Sequence, residues 1–300
     1  MKNIGFLGSG FALYGYLKHF SKKNNNLITL EKYKKIIKKR KDLKKLYKKI
    51  IFKKNDNLIL KYSDEIVFAR RPIDQENFIK KIIKRNFKIN HYYFEKPLCT
   101  NPSNSIKLFE KLKKKKIKFT MGYLLFYTKF YNKCFKNFTK NLYINWEFMA
   151  YDLKNKNKKG WKFKISKGGG PLRFYGIHFI SILAKKFKNF SNIKSIIIFK
   201  NKIPIIWNCR LKLNEKTNFQ VNISTFSSKN IFRVKTDKKL LYSSSTPFGN
   251  YKKNDSCDYR VKYIKKMIKH YNPNFNYISY KKSLVLWEKI ENKTQFIYEM

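Results

Sequence analysis

The sequence has 300 residues, 43% of them hydrophobic, which is enough apolar surface for a folded core and excludes an intrinsically disordered tail. Its formal net charge is +52, but only 8 of the 70 cations are Arg, the residue that base readout and bidentate phosphate contacts favour. Because residues with A- and T-rich codons are abundant, we interpret most of this charge as codon drift with solvated lysines; we expect no nucleic-acid partner, the alternative being a polyanion-binding surface.

The N-terminus predicts a strand, a glycine turn and a helix. Ile4–Leu7 is a short buried strand, Gly8-Ser9-Gly10 a turn, and Phe11–Phe20 a helix. A second strand, Leu27–Leu30, ends at Glu31, 21 positions after Gly10, which is the layout of a dinucleotide-binding unit. Taken alone, a GxG turn is more often purely structural, and Leu13 occupies the third position of GxGxxG.

A signal peptide is the competing interpretation of the same residues. Lys2 precedes an apolar run that ends at Leu17. Four glycines interrupt that run, a small-x-small cleavage site is lacking, and lysines follow directly. We therefore favour the strand-turn-helix interpretation.

The next hundred residues alternate helices and strands. A basic helical stretch is predicted over Lys32–Lys49, and further helices over Asp74–Lys84 and Ser103–Lys116. Short buried strands are predicted at Glu65–Ala69, His91–Phe94 and Ile117–Met121. This alternation predicts an α/β fold with a doubly wound parallel sheet, a Rossmann domain over residues 1–121, whose ligands bind at the carboxyl ends of the strands.

Beyond Met121 the apolar residues alternate with polar ones, as in half-buried antiparallel strands. We expect an α+β substrate and oligomerisation domain over residues 122–300, with an open, largely antiparallel sheet. Its predicted strands are Asn141–Ala150, Ile193–Phe199, Ile205–Leu213, Phe219–Phe226 and Asn230–Lys235, and its helices Leu172–Phe187, Asp258–Tyr271 and Ser283–Glu291. The loop Lys154–Lys159 is expected to be solvated, or to attract an anionic substrate.

Cysteine usage and hydropathy point to a reducing cytoplasm. The four cysteines are far apart and form no CxxC pair, so we expect neither a metal site nor a disulfide framework. No run approaches 18 apolar residues, and we therefore expect no membrane span and a cytoplasmic location.

Four segments in order, GFLGSG, EIVFARRPIDQ, YFEKPL and GGGPLRFYGIH, resemble the glucose-fructose oxidoreductase and inositol dehydrogenase family, written Gfo/Idh/MocA. The resemblance implies an NAD(P)-dependent oxidoreductase that moves a hydride to or from a small sugar, polyol or sugar-derived carbonyl. It also implies a homo-oligomer, dimer or tetramer, assembled through the C-terminal sheet.

The resemblance also implies which residues bind the cofactor. Glu31 matches the residue that binds the adenosine ribose, but Lys32 beside it suits a 2′-phosphate, so the choice between NAD and NADP stays open. The other matching cofactor-binding positions are Gly8, Gly10 and Phe11 at the turn, Arg71 and Pro72 after the fourth strand, and Glu95 with Lys96 after the fifth.

Lys96 matches the family's active-site lysine and His178 its acid or base; the alternatives are a solvated lysine and a structural helix histidine. Trp161, Arg173 and Tyr175 are the substrate candidates. Phe174 stands where the family commonly has Asp, which keeps a cofactor-binding paralogue without turnover as the alternative function.

Overall fold

The computed structural model describes residues 1–85, 87–135, 141–150, 160–214, 217–250 and 258–299. The chain forms two compact units. The first comprises Met1–Leu98, Lys107–Leu124 and Lys252–Asn276, and the second Cys99–Ile106, Leu125–Tyr251 and Tyr277–Met300. The stretch that ends at Asn276 therefore returns to the unit that the first 98 residues build.

The first unit contains a parallel sheet in the order β3-β2-β1-β4-β5-β6. Its strands are β1 (Lys2–Leu7), β2 (Asn25–Leu30), β3 (Ile50–Lys53), β4 (Glu65–Phe68), β5 (His91–Phe94) and β6 (Phe119–Met121). Phe6 lies opposite Thr29 of β2 and Val67 of β4. The predicted Rossmann sheet is confirmed, and β3, to which the sequence analysis assigned no range, occupies its edge.

The strands of this sheet are almost continuously apolar because helices cover both faces of a parallel sheet. All four residues of β4 and the last four of β1 are buried. The chain order of the strands reverses between β1 and β4, and such a switch point leaves a crevice at the carboxyl ends of the strands.

The first helix begins as a π-helical segment, Ala12–Leu17, and continues as α1 (Lys18–Phe20). The predicted helical stretch Lys32–Lys49 is divided into short helical pieces, because Arg40 adopts an extended backbone between α2 (Lys34–Lys39) and α3 (Lys41–Lys44). The further helices up to residue 135 are α4 (Asp56–Tyr62), α5 (Pro72–Lys84), α6 (Pro102–Lys114) and α7 (Lys129–Phe135).

The second unit contains a mixed, mostly antiparallel sheet in the order β12-β11-β7-β10-β9-β8-β13. Only the pairs β7–β10 and β8–β13 are parallel within it. Its strands are β7 (Leu142–Met149), β8 (Phe190–Lys200), β9 (Ile203–Leu213), β10 (Asn218–Ser224), β11 (Phe226–Lys235), β12 (Leu240–Ser244) and β13 (Thr294–Glu299). The predicted open sheet is confirmed, and the two edge strands, β12 and β13, are additions to it.

The predicted helix Leu172–Phe187 consists of a π-helical segment, Pro171–Gly176, followed by α8 (Ile177–Lys186). Near the C-terminus α9 spans Val261–Lys269 and α10 spans Pro273–Asn292, so the last helix is longer than predicted. Across the described ranges, no helix combines the length with the hydropathy needed to traverse a bilayer.

Candidate functional site

The glycine turn after β1 combines one crowded glycine with one open glycine. Gly8 has a φ of +151°, and a Cβ there would lie 2.3 Å from the Ala69 carbonyl oxygen. A Cβ on Gly10 would have only the Tyr14 hydroxyl within 4.0 Å. Gly8 thus permits the close packing of the turn against the end of β4, while Gly10 leaves room for a ligand to approach the backbone at a helix N-terminus. This arrangement fits a pyrophosphate.

Phe11 and Leu13 explain how the helix packs without a third glycine. The Phe11 ring lies against Gly15, where a Cβ would come within 2.4 Å of it, and contacts Tyr16 edge-to-face at 5.4 Å. Leu13 is fully buried. The third position of the motif therefore contributes an apolar contact to the core.

Glu31 follows directly after β2, at the carboxyl edge of the sheet. Its carboxylate lies 3.7 Å from the Lys34 ammonium group, and both side chains are 43% exposed. Lys32 is exposed, with its ammonium nitrogen 5.7 Å from the centre of the Tyr33 ring. An acid and two lysines thus surround the predicted ribose position. The acid suits the ribose hydroxyls of NAD and the lysines suit the 2′-phosphate of NADP, so this geometry does not choose between the two cofactors.

Both arginines in the loop after β4, Arg70 and Arg71, form ion pairs with aspartates. Arg71 forms a bidentate pair with Asp74 at 2.7 and 2.9 Å and remains 52% exposed. Arg70 pairs with Asp56 through two 2.7 Å hydrogen bonds. Pro72 begins α5 and is buried, as suits a residue that needs no backbone N–H at the first helical position.

Glu95 and Lys96 follow β5; Lys96 is buried and Glu95 is half-buried. The Tyr16 hydroxyl donates a 3.0 Å hydrogen bond to the Glu95 carboxylate, and a Cβ on Gly122 would lie 2.5 Å from the same oxygen. Burial raises the pKa of Glu95, and the neighbouring Lys96 charge, the Tyr16 hydroxyl and the Arg260 charge oppose that rise. The Lys96–Pro97 peptide bond is cis.

The backbone around Lys96 is held by Gln75, a residue that the sequence analysis missed. The two N–H groups of the Gln75 side-chain amide are shared among the carbonyl oxygens of Glu95, Pro97 and Leu98, which lie 2.7–3.1 Å from its nitrogen, and its oxygen accepts from the Glu95 N–H at 3.0 Å. Gln75 is 1% exposed. One buried side chain therefore fixes the loop on both sides of Lys96. The signal for it was its place at the end of the segment EIVFARRPIDQ, one turn into α5.

In the second unit His178 is buried in the first turn of α8. Its ring contacts Phe248 edge-to-face at 5.8 Å, and its carbonyl accepts a 2.7 Å hydrogen bond from the Ser181 hydroxyl. The GGG loop that precedes this helix places Gly170 at a φ of +88°.

The aromatic residues near the GGG loop form a continuous series of ring contacts. Trp161 meets Phe174 edge-to-face at 5.0 Å, Phe174 meets Tyr175 at 4.7 Å, and Tyr175 meets Trp146 at 5.5 Å. Lys162 lies 5.3 Å from the Phe174 ring. Phe174 thus contributes an aromatic ring where the resemblance leads us to expect a carboxylate.

Arg173, a predicted substrate contact, is engaged by protein groups. Its Nη1 donates to the carbonyls of Thr100 and Ile165 at 2.9 and 2.6 Å, and its Nε and Nη2 bind the Glu291 carboxylate. These contacts use four of the five guanidinium N–H groups. We therefore propose that Arg173 positions the loops around α8 instead of binding substrate.

In the first unit, Tyr16 contacts both Phe11, which follows the turn, and Glu95, which precedes Lys96. The other candidates belong to the second unit: Trp161, Arg173, Tyr175 and His178. The loop Lys154–Lys159 lies outside the described residues. Within the described ranges, no three His, Cys, Asp or Glu side chains form a cluster suited to a metal ion.

Solved structures share this fold over nearly their whole length. The 3-ketoreductase KijD10 from Actinomadura kijaniata, in complex with NADP and TDP-benzene, matches with a TM-score of 0.68 and 9% identity, covering 100% of this chain and 99% of that one. The WlbA dehydrogenase from Thermus thermophilus, in complex with NAD and UDP-GlcNAcA, matches at 0.71 with 14% identity, covering 100% and 97%. The dehydrogenase MviM from Clostridium difficile matches at 0.64 with 18% identity, covering 97% and 99%.

No protein-family model and no curated protein matches the sequence. At these identities the structural matches establish the fold alone.

Proposed function

We propose that the protein is an NAD(P)-dependent oxidoreductase of the Gfo/Idh/MocA type that transfers a hydride to or from a sugar or sugar-derived carbonyl. The observation that carries the proposal is the turn at the switch point of the parallel sheet, where Gly10 leaves open space beside a helix N-terminus. Two fold neighbours, KijD10 and WlbA, were crystallised with NADP or NAD and a nucleotide-linked compound, which supports the same cofactor and a sugar-nucleotide substrate here.

Gly8, Gly10 and Phe11 would hold the pyrophosphate, Glu31 the adenosine ribose, and Arg71, Pro72 and Glu95 the remainder of the cofactor. When bound, the nicotinamide supplies a hydride acceptor or donor. The chain itself must then manage the proton on the substrate oxygen.

We propose Lys96 and His178 as the groups that exchange this proton. Each is buried, so each interacts with a substrate in a medium of lower dielectric than water. An ammonium group or an imidazole can hold a proton at the substrate oxygen while the carbinol carbon gains or loses hydride. Gln75, by fixing the loop around Lys96, limits how far that ammonium group moves.

A cofactor-binding protein without turnover is the second candidate, and Phe174 is the observation that favours it. A ring packed between Trp161 and Tyr175 cannot orient an imidazole as a carboxylate does. The two functions share cofactor binding and differ in hydride transfer.

The test separates binding from turnover. NADH or NADPH at about 100 times its Kd should stabilise the wild-type protein by ~2.7 kcal/mol, seen as a raised unfolding midpoint. Lys96→Ala and His178→Ala should retain that shift and lose oxidation of the reduced cofactor by a panel of nucleotide-linked ketosugars, while Lys118→Ala, at an exposed lysine, should keep both.

A protein that binds the cofactor and turns over none of the panel supports the second candidate. If neither NADH nor NADPH raises the unfolding midpoint, both candidates fail.

We further propose that the chain assembles as a homo-oligomer through the sheet of the second unit. The edge strand β13 exposes Phe296, Ile297 and Tyr298 at 50%, 46% and 64%, and β7 exposes Tyr143 and Met149. Phe296→Asp should reduce the mass measured by light scattering, and an unchanged mass would contradict this route of assembly.

A further inference from the structure

Arg260, which lies far from the glycine turn in sequence, is in contact with Phe11, the residue that follows that turn. Its guanidinium carbon lies 4.2 Å from the centre of the Phe11 ring and 5.9 Å from that of Tyr14. Phe11 directly follows Gly10, the glycine with open space beside it. A cation from the C-terminal part of the chain therefore packs on the first residue of the helix whose N-terminus faces the turn, where an anion is best accommodated.

Asp258 fixes the orientation of this guanidinium group. Arg260 donates from Nε and Nη2 to the two Asp258 oxygens at 3.0 and 2.8 Å, and its backbone N–H donates to the same carboxylate at 2.9 Å. Helix α9 begins at the next residue and packs against α1 and the π-helical segment before it. The side chain is 29% exposed. Arg260 is thus held in one orientation and is still accessible.

The electrostatics around Arg260 suit an anionic ligand. Burial alone would lower the pKa of Arg260, but hydrogen bonding to Asp258 and the Asp258 charge raise it, so the group stays cationic. The Arg260 charge also reaches Glu95: burial raises the pKa of that carboxyl group, and the charges of Lys96 and Arg260 oppose the rise. Two cations, Lys96 and Arg260, therefore contribute positive charge at Glu95, which follows β5 at the carboxyl edge of the sheet.

We propose that Arg260 binds the pyrophosphate of the dinucleotide at the GSG turn. This inference rests on the proposed function, and it adds a phosphate-binding residue from the opposite end of the chain. A guanidinium group presents paired N–H donors that match phosphate oxygens, and it stacks on an aromatic ring at the same time. Phe11 supplies that ring, which gives this residue of the turn a defined part in cofactor binding.

The chain offers a matched control in Arg40. Its guanidinium carbon lies 4.8 Å from the Tyr14 ring, and it pairs with Asp42 through two 3.0 Å hydrogen bonds. Arg40 and Arg260 therefore share an aspartate two positions away and a ring contact with the first helix. Only Arg260 lies on Phe11 at the turn.

The experiment compares three ligands by titration calorimetry on Arg260→Met, Arg40→Met and wild type. Arg260→Met should weaken NADH and ADP at least tenfold, leave adenosine unchanged, and reduce the salt dependence of NADH binding. Arg40→Met should leave all three affinities within about twofold of wild type. Unfolding midpoints without ligand should be similar for the two variants, because each removes one Arg–Asp pair.

Equal NADH affinity in the two variants overturns the inference, as does an equal loss for adenosine, which would indicate general disruption of the unit. If Arg260→Met does not fold, Arg260→Lys replaces it as the test, because lysine keeps the positive charge and lacks the paired N–H donors of the guanidinium group. Undiminished NADH affinity in Arg260→Lys overturns the inference. A wild-type protein that binds neither NADH nor NADPH rejects the proposed function itself, and Arg260 binding with it.

Discussion

The Tyr16 hydroxyl donates a 3.0 Å hydrogen bond to the Glu95 carboxylate, joining the helix after the GSG turn to the end of β5. Burial raises the pKa of this carboxyl group, and the Lys96 charge and the Tyr16 hydrogen bond both oppose that rise. This one contact connects the proposed pyrophosphate site with the loop that carries Lys96.

Replacing Tyr16 with Phe removes that donor and keeps the ring. The free energy of unfolding should fall by about 1–3 kcal/mol, since the buried carboxylate loses a hydrogen-bond partner. Urea denaturation at neutral pH measures the change. Tyr14→Phe, which removes a hydroxyl from the same helix, is the control; equal stabilities of the two variants would contradict a role for the Tyr16–Glu95 contact.

The two glycines of the turn should respond differently to alanine. Gly8→Ala forces a Cβ to 2.3 Å from the Ala69 carbonyl at a positive φ, and should lower the free energy of unfolding by about 1–3 kcal/mol. Gly10→Ala has space for its methyl group and should unfold like wild type while losing the NADH-dependent rise of the midpoint. If Gly10→Ala retains that rise, the dinucleotide does not approach the turn at Gly10.

The ion pair between Arg173 and Glu291 should be structural. The two side chains are 13% and 16% exposed, so Glu291→Gln leaves a largely buried guanidinium group with a weakened partner and should lower the free energy of unfolding by about 2–4 kcal/mol. Asp74→Asn, in the exposed pair with Arg71, should lower it by only ~0–1 kcal/mol. If Glu291→Gln and Asp74→Asn lower the free energy of unfolding by similarly small amounts, the structural role is contradicted and Arg173 is again a candidate for substrate binding.

The stability of the first unit should fall as the pH drops from about 6.5 to 4. Burial, and then the charges of Lys23, Lys22 and Lys265, lower the pKa of His19 to about 4. In this window the unfolded chain binds a proton that the folded chain excludes, so the free energy of unfolding decreases by up to roughly 3 kcal/mol.

Urea denaturation of His19→Gln, compared with wild type at pH 4.5 and 7.5, tests the His19 contribution. The variant should lose less stability on acidification than wild type. His270→Gln, at an exposed histidine, controls for the removal of an imidazole. Identical acid sensitivity of His19→Gln and wild type would contradict the assignment.

Glu31 should decide between the two dinucleotides. Its carboxylate would repel a 2′-phosphate, whereas Lys32 and Lys34 would attract one once the acid is removed. We expect Glu31→Ser to shift the ratio of NADH to NADPH affinity towards NADPH by about tenfold, equivalent to ~1.4 kcal/mol, measured by fluorescence titration. An unchanged ratio would show that Glu31 does not contact the ribose.

The sequence by itself determined the strand-turn-helix at the N-terminus, the parallel sheet and the alternating pattern of the second sheet. These features follow from hydrophobic periodicity and glycine positions, which act over a few residues. It also located Glu95, Lys96 and His178 as candidates, whose roles stay proposals.

Only the tertiary structure decided which distant groups meet. The contacts of Arg260 with Phe11, Gln75 with the Lys96 loop and Arg173 with Glu291 join residues far apart in sequence. At Arg40, where the backbone is extended between two helices, the side chain likewise packs on the distant ring of Tyr14. Local propensity carries no information about such pairings, since each depends on where two separate elements are placed by the packing of the whole unit.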